Sequence, residues 1–250
     1  MEFQELLEKY NGLIPIDELV GVDVSSFLRI TKYEPPAQFT MGDMAGPFPS
    51  HLIPVTDEER IQNIPEICEE LRGQEAWITQ KDDGTSASYV IDLDGTFLAC
   101  SRNNARKDGD NVYWNLARKY GVPTILEQFP LFAIQGEAVG PGIQKNRLGL
   151  SSHELHVFNV VNISTRMPLD YPDMADFCRE VGLIPVQLIE HVKDFQYSPE
   201  DLLRLAEGKY PSGQEREGIV IRGRGKSTVR GGDWMSFKAI SDKFLMKNNE

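Results

Sequence analysis

The sequence predicts an α+β fold in which antiparallel β-sheets are flanked by helices. Short strand-like runs are separated by hairpin-type turns such as Asp94-Gly95. Helical segments end at glycines, as at Gly121 and Gly182. A doubly wound parallel sheet would need regular alternation of strands and helices, and the pattern lacks it. With 250 residues, the chain is long enough for one large or two modest domains.

Little regular structure is predicted for the first 55 residues. A short helix at residues 2–9 is followed by a Pro- and Gly-rich segment at residues 35–55. We expect residues 1–55 to form an extended arm or linker packed on a core domain made of residues 56–250.

The core domain is predicted to begin with a helix at residues 56–71. Thr56, followed three residues later by Glu59, matches a capping box, and Gly73 would end the helix. Pro65 lies inside this segment, and a break there would leave two short helices.

Strands and helices then alternate irregularly along the rest of the chain. The predicted strands are residues 76–80, 87–91, 96–100, 131–138, 156–163, 218–222 and 234–240. The predicted helices are residues 111–120, residues 171–181, a helix that opens at Ser198-Pro199-Glu200, and residues 241–247.

Composition places the chain among soluble globular proteins of a reducing compartment. It is 40% hydrophobic and 26% charged, and no apolar run approaches the length of a membrane span. The three cysteines, Cys68, Cys100 and Cys178, are odd in number and far apart, which favours free thiols and a cytoplasmic or other reducing intracellular location. His153 and His156 have no further ligand pair nearby, so a zinc site is not expected.

The formal charge of −12 argues against a general nucleic-acid coat. It leaves room for an enzyme whose basic residues are gathered locally. One such stretch contains Arg216, Arg222, Arg224, Lys226 and Arg230. Nucleic-acid contact and a solvated basic loop explain this stretch equally well.

Lys81 is the strongest single candidate for a catalytic residue. It follows the apolar strand at residues 76–80 and precedes Asp82-Asp83-Gly84. Burial of an ammonium group is costly, and a desolvated lysine near other cations becomes a nucleophile. The alternative is a solvated hairpin turn, because Asp-Gly is a common hairpin signal.

Four further stretches place charged residues at or within strands. Taken singly, each is explained by solvation at a strand end, although Lys238 has apolar neighbours on both sides. They are Ser101-Arg102-Asn103, Gln135-Gly136-Glu137, Glu217-Gly218-Ile219-Val220-Ile221 and Phe237-Lys238-Ala239-Ile240.

Together with Lys81, these stretches have one coherent chemical meaning. A lysine that attacks a nucleotide α-phosphate needs cations on the phosphate oxygens, carboxylates for a divalent ion, and groups that grip the nucleoside. The candidate cations are Lys238 and Arg102, the candidate carboxylates are Asp83, Glu137 and Glu217, and the candidate nucleoside contact is Phe158.

The order of these stretches over residues 77–245 resembles the covalent nucleotidyltransferases. That superfamily contains ATP-dependent RNA and DNA ligases and mRNA capping guanylyltransferases. The chain is most similar to RNA ligases of the nick-sealing Deinococcus-type branch. This similarity rests on Thr31-Lys32-Tyr33-Glu34-Pro35-Pro36, Gly46-Pro47-Phe48-Pro49, Thr56-Asp57-Glu58-Glu59-Arg60-Ile61-Gln62-Asn63, Gly140-Pro141-Gly142-Ile143-Gln144 and Ser236-Phe237-Lys238-Ala239-Ile240-Ser241.

The resemblance implies a nucleotidyltransferase (ATP-grasp-like ligase) fold and an ATP-dependent RNA ligase that joins 3′-hydroxyl and 5′-phosphate ends. Lys81 would carry AMP as a phosphoramidate, and Lys238 would bind phosphate and help keep Lys81 deprotonated. The substrate would be RNA, as a nicked duplex or RNA-templated ends, and no membrane is implied. The other implied roles are adenine contact through the backbone of Gln80, ribose and RNA-end contact by Arg102, stacking on adenine by Phe158, ribose or metal contact by Glu137, and Mg²⁺ or Mn²⁺ binding through water by Asp83 and Glu217.

The chain departs from the superfamily pattern in two places. The last motif often carries two lysines, but the earlier position here is Ser236, and Arg222, Arg224 or Lys226 would compensate. Ligases of this branch also carry an N-terminal OB-type domain, and the segment before Lys81 is too short and Pro-rich to predict a complete one. A catalytic-domain fragment and a minimal ligase both fit.

Two alternatives stay open from the sequence. The first is another covalent nucleotidyltransferase, either a DNA ligase or a capping enzyme. The second is a non-catalytic nucleotide-binding relative, against which the complete set of Lys81, Glu137, Glu217 and Lys238 argues.

Overall fold

Two β-sheets face each other across a cleft in residues 43–248, the part of the chain that the structure, a computed structural model, describes. One sheet has eight strands and the other has five. The predicted helix at residues 2–9 and the stretch from Thr31 to Pro36 lie outside the described residues.

The strands and helices of the described residues have the following bounds. The strands are β1 (Met44–Pro47), β2 (Glu59–Arg60), β3 (Ala76–Lys81), β4 (Thr85–Ile91), β5 (Phe97–Cys100), β6 (Asn104–Arg106), β7 (Phe132–Val139), β8 (Glu154–Asn162), β9 (Met167–Pro168), β10 (Ile184–Pro185), β11 (Leu188–Val192), β12 (Gly218–Lys226) and β13 (Trp234–Ile240). The helices are α1 (Ile67–Leu71), α2 (Val112–Lys119), α3 (Val122–Gln128), α4 (Tyr171–Val181), α5 (Pro199–Ala206) and α6 (Asp242–Asn248). None of these helices is both long enough and apolar enough to cross a membrane.

The predicted α+β architecture with antiparallel sheets is confirmed. The larger sheet runs β1-β6-β5-β4-β7-β8-β10, with β9 also paired to β8, and the smaller sheet runs β11-β3-β12-β13-β2. Parallel pairing occurs at β8 with β10 and at β2 with β13, and the other described strand pairs are antiparallel.

Each sheet turns one face toward helices and buries an apolar core there. Helices α2, α3 and α4 cover the larger sheet through buried side chains that include Leu116, Leu126 and Met174. Helices α1 and α5 cover the smaller sheet through residues such as Leu71 and Leu202. Residues on the opposite faces of the two sheets line the cleft between them.

Residues 43–55 lie along the larger sheet. Strand β1 pairs antiparallel with β6 at the edge, and Leu52 and Ile53 are buried against Val90, Ala133 and Val161. Apart from β1, this segment has little regular structure, as its Pro and Gly content predicts.

The predicted helix at residues 56–71 is wrong over most of its length. Only the five residues of α1 are α-helical, after a short 3-10 turn at Ile61–Asn63. Thr56 does not cap a helix, because its Oγ1 lies 2.8 Å from Ser86 Oγ. Glu59 instead forms a strand with Arg60, which pairs with β13. Tertiary pairing here overrides a local capping signal.

Several short elements were not predicted. Helix α3 follows α2 at once, because Gly121, in a left-handed conformation (φ 64°), both ends one helix and begins the next. Strands β6, β9, β10 and β11 have between two and five residues, too few to show a period. Helix α4 and strand β13 match their predicted bounds, and the capping box of Ser198 and Asp201 forms at α5.

The hairpin alternative for Lys81 is wrong. Strand β3 belongs to the smaller sheet and β4 to the larger one, so residues 82–84 carry the chain from one sheet to the other. Gly84 lies where a Cβ atom would be 2.4 Å from the Ala138 carbonyl oxygen. The turn is therefore packed into the molecule, and Lys81 stands at the point where the two sheets meet.

Candidate active site

The smaller sheet contributes three neighbouring strands to the cleft. Register places Gly218 opposite Lys81 and Val220 opposite both Thr79 and Lys238. Alternate residues of a strand face the same side, so Lys81 and Lys238 project from the same face. Glu217, which directly precedes β12, lies beside Lys81.

The larger sheet contributes an acid and an aromatic ring. Glu137 on β7 lies opposite His156 on β8, and Phe158 comes two residues further along the same strand face. The Phe158 ring reaches toward the other sheet, where the Arg222 guanidinium carbon lies 5.9 Å from its centroid. This contact spans the cleft.

The cleft encloses a cavity of about 440 Å³, and all eight residues that the sequence singles out line it. They come from six separate stretches of chain and both sheets. These residues are Gln80, Lys81, Asp83, Arg102, Glu137, Phe158, Glu217 and Lys238.

Lys81 forms an ion pair in the lining of the cavity. Its Nζ donates to Glu217 Oε2 at 2.8 Å, and both side chains are largely buried. Burial alone would lower the pKa of Lys81, but the carboxylates of Glu217 and Glu137 outweigh burial and raise it. This direction is opposite to the one the sequence predicts, because the nearest charges are acids rather than Lys238.

The ionisable groups near Lys81 have shifted pKa values, as expected where several charges share a partly desolvated site. Burial raises the pKa of Glu137 to about 8; Lys81 opposes this effect, and Glu217, Asp82 and Asp83 add to it. Burial and the charge of Lys81 lower the pKa of Lys238. Perturbed titration in a cleft is characteristic of functional sites.

Three more of the predicted residues have protein partners in the cavity wall. Asp83 forms a buried ion pair with Arg147, whose guanidinium carbon lies 4.6 Å from the centre of the Phe244 ring. The buried Gln80 amide donates to Asp82 Oδ1 at 2.7 Å. Arg102 is more exposed and pairs with Asp57 at the rim.

A family model for RNA ligase matches residues 74–240, about two thirds of the chain. The chain belongs to the RNA ligase family. It is accordingly an enzyme of the ligase class.

Solved structures of an RNA ligase from Naegleria gruberi are similar along nearly the whole chain. The form with PPi has 28% identity and a TM-score of 0.78, covering 97% of this chain and 71% of that one. A variant of the same ligase with ATP and Mn has 28% identity and a TM-score of 0.77, covering 93% and 70%. Another variant, with AMP and Mn, has the same identity and a TM-score of 0.78, with the same coverage. No curated protein sequence matches the chain.

The position of the missing motif lysine is occupied by a buried hydrogen-bonded group. Ser236 Oγ donates to Glu58 Oε1 at 2.7 Å, and the cross-strand partner of Ser236 is Arg222. Glu58 also lies 3.7 Å from Arg222 and 3.2 Å from Arg230. Of the three residues expected to compensate, only Arg222 lines the cavity.

The basic stretch at residues 216–230 is not a single patch. Arg216 is buried and donates to the carbonyls of Leu205 and Glu207 at the end of α5. Arg224 lies over Trp77 and pairs with Glu75 and Asp170. These side chains therefore support the fold in different places.

The sequence did not predict two basic residues of the cavity, Arg60 and Arg147, or the tyrosine that hydrogen-bonds to the backbone of Lys81 and Glu217. Arg60 lies beside Lys238, because β2 pairs with β13 at these residues, and it lines the cavity. Arg147 pairs with Asp83. Tyr210 donates its hydroxyl to the Lys81 carbonyl at 2.8 Å and accepts from Glu217 N at 3.1 Å. Arg60 was missed because a helix was predicted there, and nothing in the local sequence marks Arg147 or Tyr210 as part of a site.

The carboxylates near Lys81 fit a hydrated divalent cation. Within residues 43–248, no three His, Cys, Asp or Glu side chains are close enough to hold a metal ion directly. Mg²⁺ keeps several waters and is usually held by one or two carboxylates together with substrate phosphates. Burial, together with Glu217, Asp82 and Asp83, raises the pKa of Glu137, so several carboxyl groups share this part of the cavity and a cation held through water would favour their ionised forms.

Proposed function

We propose that the protein is an ATP-dependent RNA ligase that works through a covalent AMP adduct on Lys81. The observation that carries this proposal is the Lys81–Glu217 pair, 2.8 Å long, in a cavity that also holds Lys238, Glu137 and Phe158. The Naegleria gruberi ligase, solved with ATP, AMP and PPi, supports the same nucleotide for this chain.

The proposed reaction has three steps. First, Lys81 Nζ bonds to the α-phosphorus of ATP, and the bond to the β-phosphate oxygen breaks to release pyrophosphate. Next, an RNA 5′-phosphate oxygen takes the AMP, and the N–P bond to Lys81 breaks. Finally, an RNA 3′-hydroxyl attacks the 5′-phosphorus, and AMP leaves with the oxygen that joined it. Positioning and charge stabilisation supply most of the rate in such transfers.

Lys81 must lose a proton before it attacks. Glu217 accepts a hydrogen bond from Nζ, and burial raises the Glu217 pKa, so this carboxylate is placed to take the proton. Lys238 and Arg60 lie side by side at the phosphate end of the cavity and would stabilise the negative charge of the triphosphate.

We assign most of the nucleoside contacts to the larger sheet. There Phe158 offers a ring face for adenine, and Arg102, which follows β5, would contact the ribose side or the RNA end at the rim. Gln80 on β3 of the smaller sheet would present its backbone to the base. Glu137 would bind the ribose or a metal-bound water. A divalent cation, Mg²⁺ or Mn²⁺, bound through water to Asp83, Glu137 and Glu217, would neutralise phosphate charge.

We further propose that the RNA is a nicked duplex or an RNA-templated pair of ends, as in the Deinococcus-type branch, and that residues 56–250 form the adenylylation domain. A reducing intracellular compartment is proposed as well. All three cysteines are free and buried, and burial raises the pKa of the Cys68 thiol to about 11.

Labelling with α-³²P ATP tests the proposal. Wild-type protein with Mg²⁺ or Mn²⁺ is expected to form an acid-labile, alkali-stable AMP adduct, whereas Lys81→Ala and Lys81→Arg form none. The arginine variant keeps the positive charge, so it separates loss of the nucleophile from loss of charge. An adduct on Lys81→Ala would overturn the assignment.

The sealing substrate is tested with nicks that differ only in the 3′-hydroxyl strand. An RNA strand is expected to be sealed faster than a DNA strand. Equal rates would contradict RNA specificity, and labelling by GTP without ATP would contradict ligation altogether.

A further inference from the structure

A buried polar cluster lies behind Lys81, and the proposed reaction does not use it. The Asp82 side chain is 1% exposed, and its Oδ2 lies 2.6 Å from His156 Nδ1. On its other side, His156 Nε2 lies 3.2 Å from Glu154 Oε2. Both ring nitrogens of His156 therefore face carboxylate oxygens. Burial alone would lower the pKa of His156, but these two contacts outweigh burial and raise it.

Such a cluster calls for an explanation, because burial of charged groups is costly even when they are paired. An apolar residue at position 82 would fill the same space without that cost. The described lining of the cavity includes Asp82 but not His156, so the histidine does not reach a substrate bound there. Any influence it has on the reaction must pass through Asp82.

The location of the pair indicates what it does. His156 lies on β8 of the larger sheet, opposite Glu137, whereas Asp82 directly follows β3 of the smaller sheet. The pair therefore ties the larger sheet to the chain one residue beyond the nucleophile. From the other side, Tyr210 donates to the Lys81 carbonyl at 2.8 Å. The backbone around Lys81 is fixed from both sides.

We propose that His156, acting through Asp82, is a positioning residue that aims the Lys81 side chain at the α-phosphate. The inference rests on the proposed role of Lys81 as nucleophile. It applies to the steps in which Lys81 gains or loses its bond to AMP. When a 3′-hydroxyl attacks a 5′ end that already carries AMP, Lys81 forms no bond, and the His156–Asp82 pair is not needed.

The test compares two steps of the reaction in His156→Leu and His156→Gln. We expect His156→Leu to slow lysyl-AMP formation at saturating ATP by about 10- to 100-fold, since a misplacement of about 1 Å costs up to that much. The KM for ATP and the sealing of a pre-adenylylated nicked duplex should stay within about threefold of wild type. The Gln variant keeps a donor for Asp82 and should recover most of the lost rate.

His51→Ala provides a matched control. It removes another His–Asp pair, His51 with Asp92 at 3.3 Å, whose histidine side chain is 58% exposed. This variant should form the adduct at the wild-type rate. A comparable loss would overturn the inference, because it would show that removal of any His–Asp pair has the same effect.

The outcomes separate the two proposals. A wild-type protein that forms no adduct on Lys81 contradicts the proposed function. Normal wild-type labelling together with unchanged labelling by His156→Leu contradicts only the positioning role. A proportional loss of both labelling and sealing overturns positioning in favour of a purely structural role. If His156→Leu does not fold, the nearly isosteric Asp82→Asn takes its place with the same expected split between steps.

Discussion

The two walls of the cleft differ in the chemistry they present. The wall formed by the smaller sheet carries Lys81, Lys238 and Arg222 on adjacent strands, with Glu217 paired to Lys81. The wall formed by the larger sheet carries Glu137 and the Phe158 ring. The first wall suits a polyphosphate and the second suits a nucleoside and a hydrated cation. The turn at residues 82–84 joins them, so Lys81, the proposed nucleophile, lies at the boundary between the two walls.

The largest expected effect is on the wall of the smaller sheet. Lys238→Ala should lower the rate of lysyl-AMP formation by about 10²- to 10³-fold, because it removes a fixed cation that we propose faces the phosphates. The rate is measured in single turnovers at saturating ATP. Lys226→Ala removes an exposed lysine from the neighbouring strand β12 and serves as the control.

If the division of labour between the walls is right, Lys226→Ala keeps the wild-type rate and Lys238→Arg recovers part of the loss. A Lys238→Ala rate within about twofold of wild type would show that Arg60 or Arg222 carries the phosphate charge instead.

The second effect concerns the junction of the walls. Gly84→Ala places a Cβ atom 2.4 Å from the Ala138 carbonyl oxygen and 2.7 Å from Val139 Cγ1. Neither backbone nor buried valine can move aside, so the free energy of unfolding should fall by about 3 kcal/mol. Urea unfolding measures the change.

Gly109→Ala is the matched control, since nothing lies within 4 Å of its added Cβ. It should change stability by no more than about 0.5 kcal/mol. A loss below about 1 kcal/mol in Gly84→Ala would show that the junction is looser than its packing indicates.

The two walls also differ in how well the sequence predicts them. Lys238 stands out because a charge lies between apolar neighbours, and Lys81 because it ends an apolar strand. Phe158 lies in a Val-rich strand and carries no such signal, so its proposed stacking on adenine comes from the family resemblance. The α+β class and most long elements follow from periodicity and caps.

Long-range pairing accounts for what the sequence does not predict. Strand β3 pairs with β12 rather than with β4, so the chain crosses to the other sheet after Lys81. The partner of Lys81 in that pairing is Gly218, 137 positions further along the chain. Arg60 enters the cavity only because β2 pairs with β13, against a local helix signal. His156 offers no metal-site spacing, and its contact with Asp82 requires both sheets in place.

A third effect tests the wall of the larger sheet. Phe158→Ala should raise the KM for ATP by about tenfold, since stacking on a base is worth about 1–3 kcal/mol. The rate at saturating ATP should change less, because the phosphates stay on the other wall. Phe158→Tyr keeps the ring and should bind ATP like wild type. A fall in the saturated rate with unchanged KM would place the base elsewhere.

The smallest expected effect concerns the hydrogen bonds that stabilise one loop in each sheet. The turn at residues 92–96 of the larger sheet is closed by its own backbone, with the Gly95 amide donating to the Asp92 carbonyl at 2.9 Å. The connection at residues 227–233 of the smaller sheet depends on Glu70 of α1. This carboxylate accepts hydrogen bonds from Ser227 Oγ at 2.5 Å and from Thr228 N and Oγ1 at 2.6 Å each.

Glu70 should therefore make stability depend on acid pH. Burial alone would raise the pKa of Glu70, but these hydrogen bonds outweigh it and lower the pKa to about 2. An unfolded glutamate has a pKa of about 4.3, so the contribution is present above that pH and is lost as pH falls toward 2. Allowing for solvent screening at this partly exposed group, Glu70→Gln should cost about 1 kcal/mol at pH 7 and almost nothing near pH 2.

Urea unfolding across this pH range measures the difference, and Glu66→Gln, an exposed acid beside the same helix, is the control. Glu70→Gln and the wild type should converge at low pH, because protonated Glu70 and a glutamine amide each hold the 227–229 amides and hydroxyls less well than a carboxylate. A constant gap between Glu70→Gln and wild type at every pH would mean that packing, and not charge, holds this connection against α1.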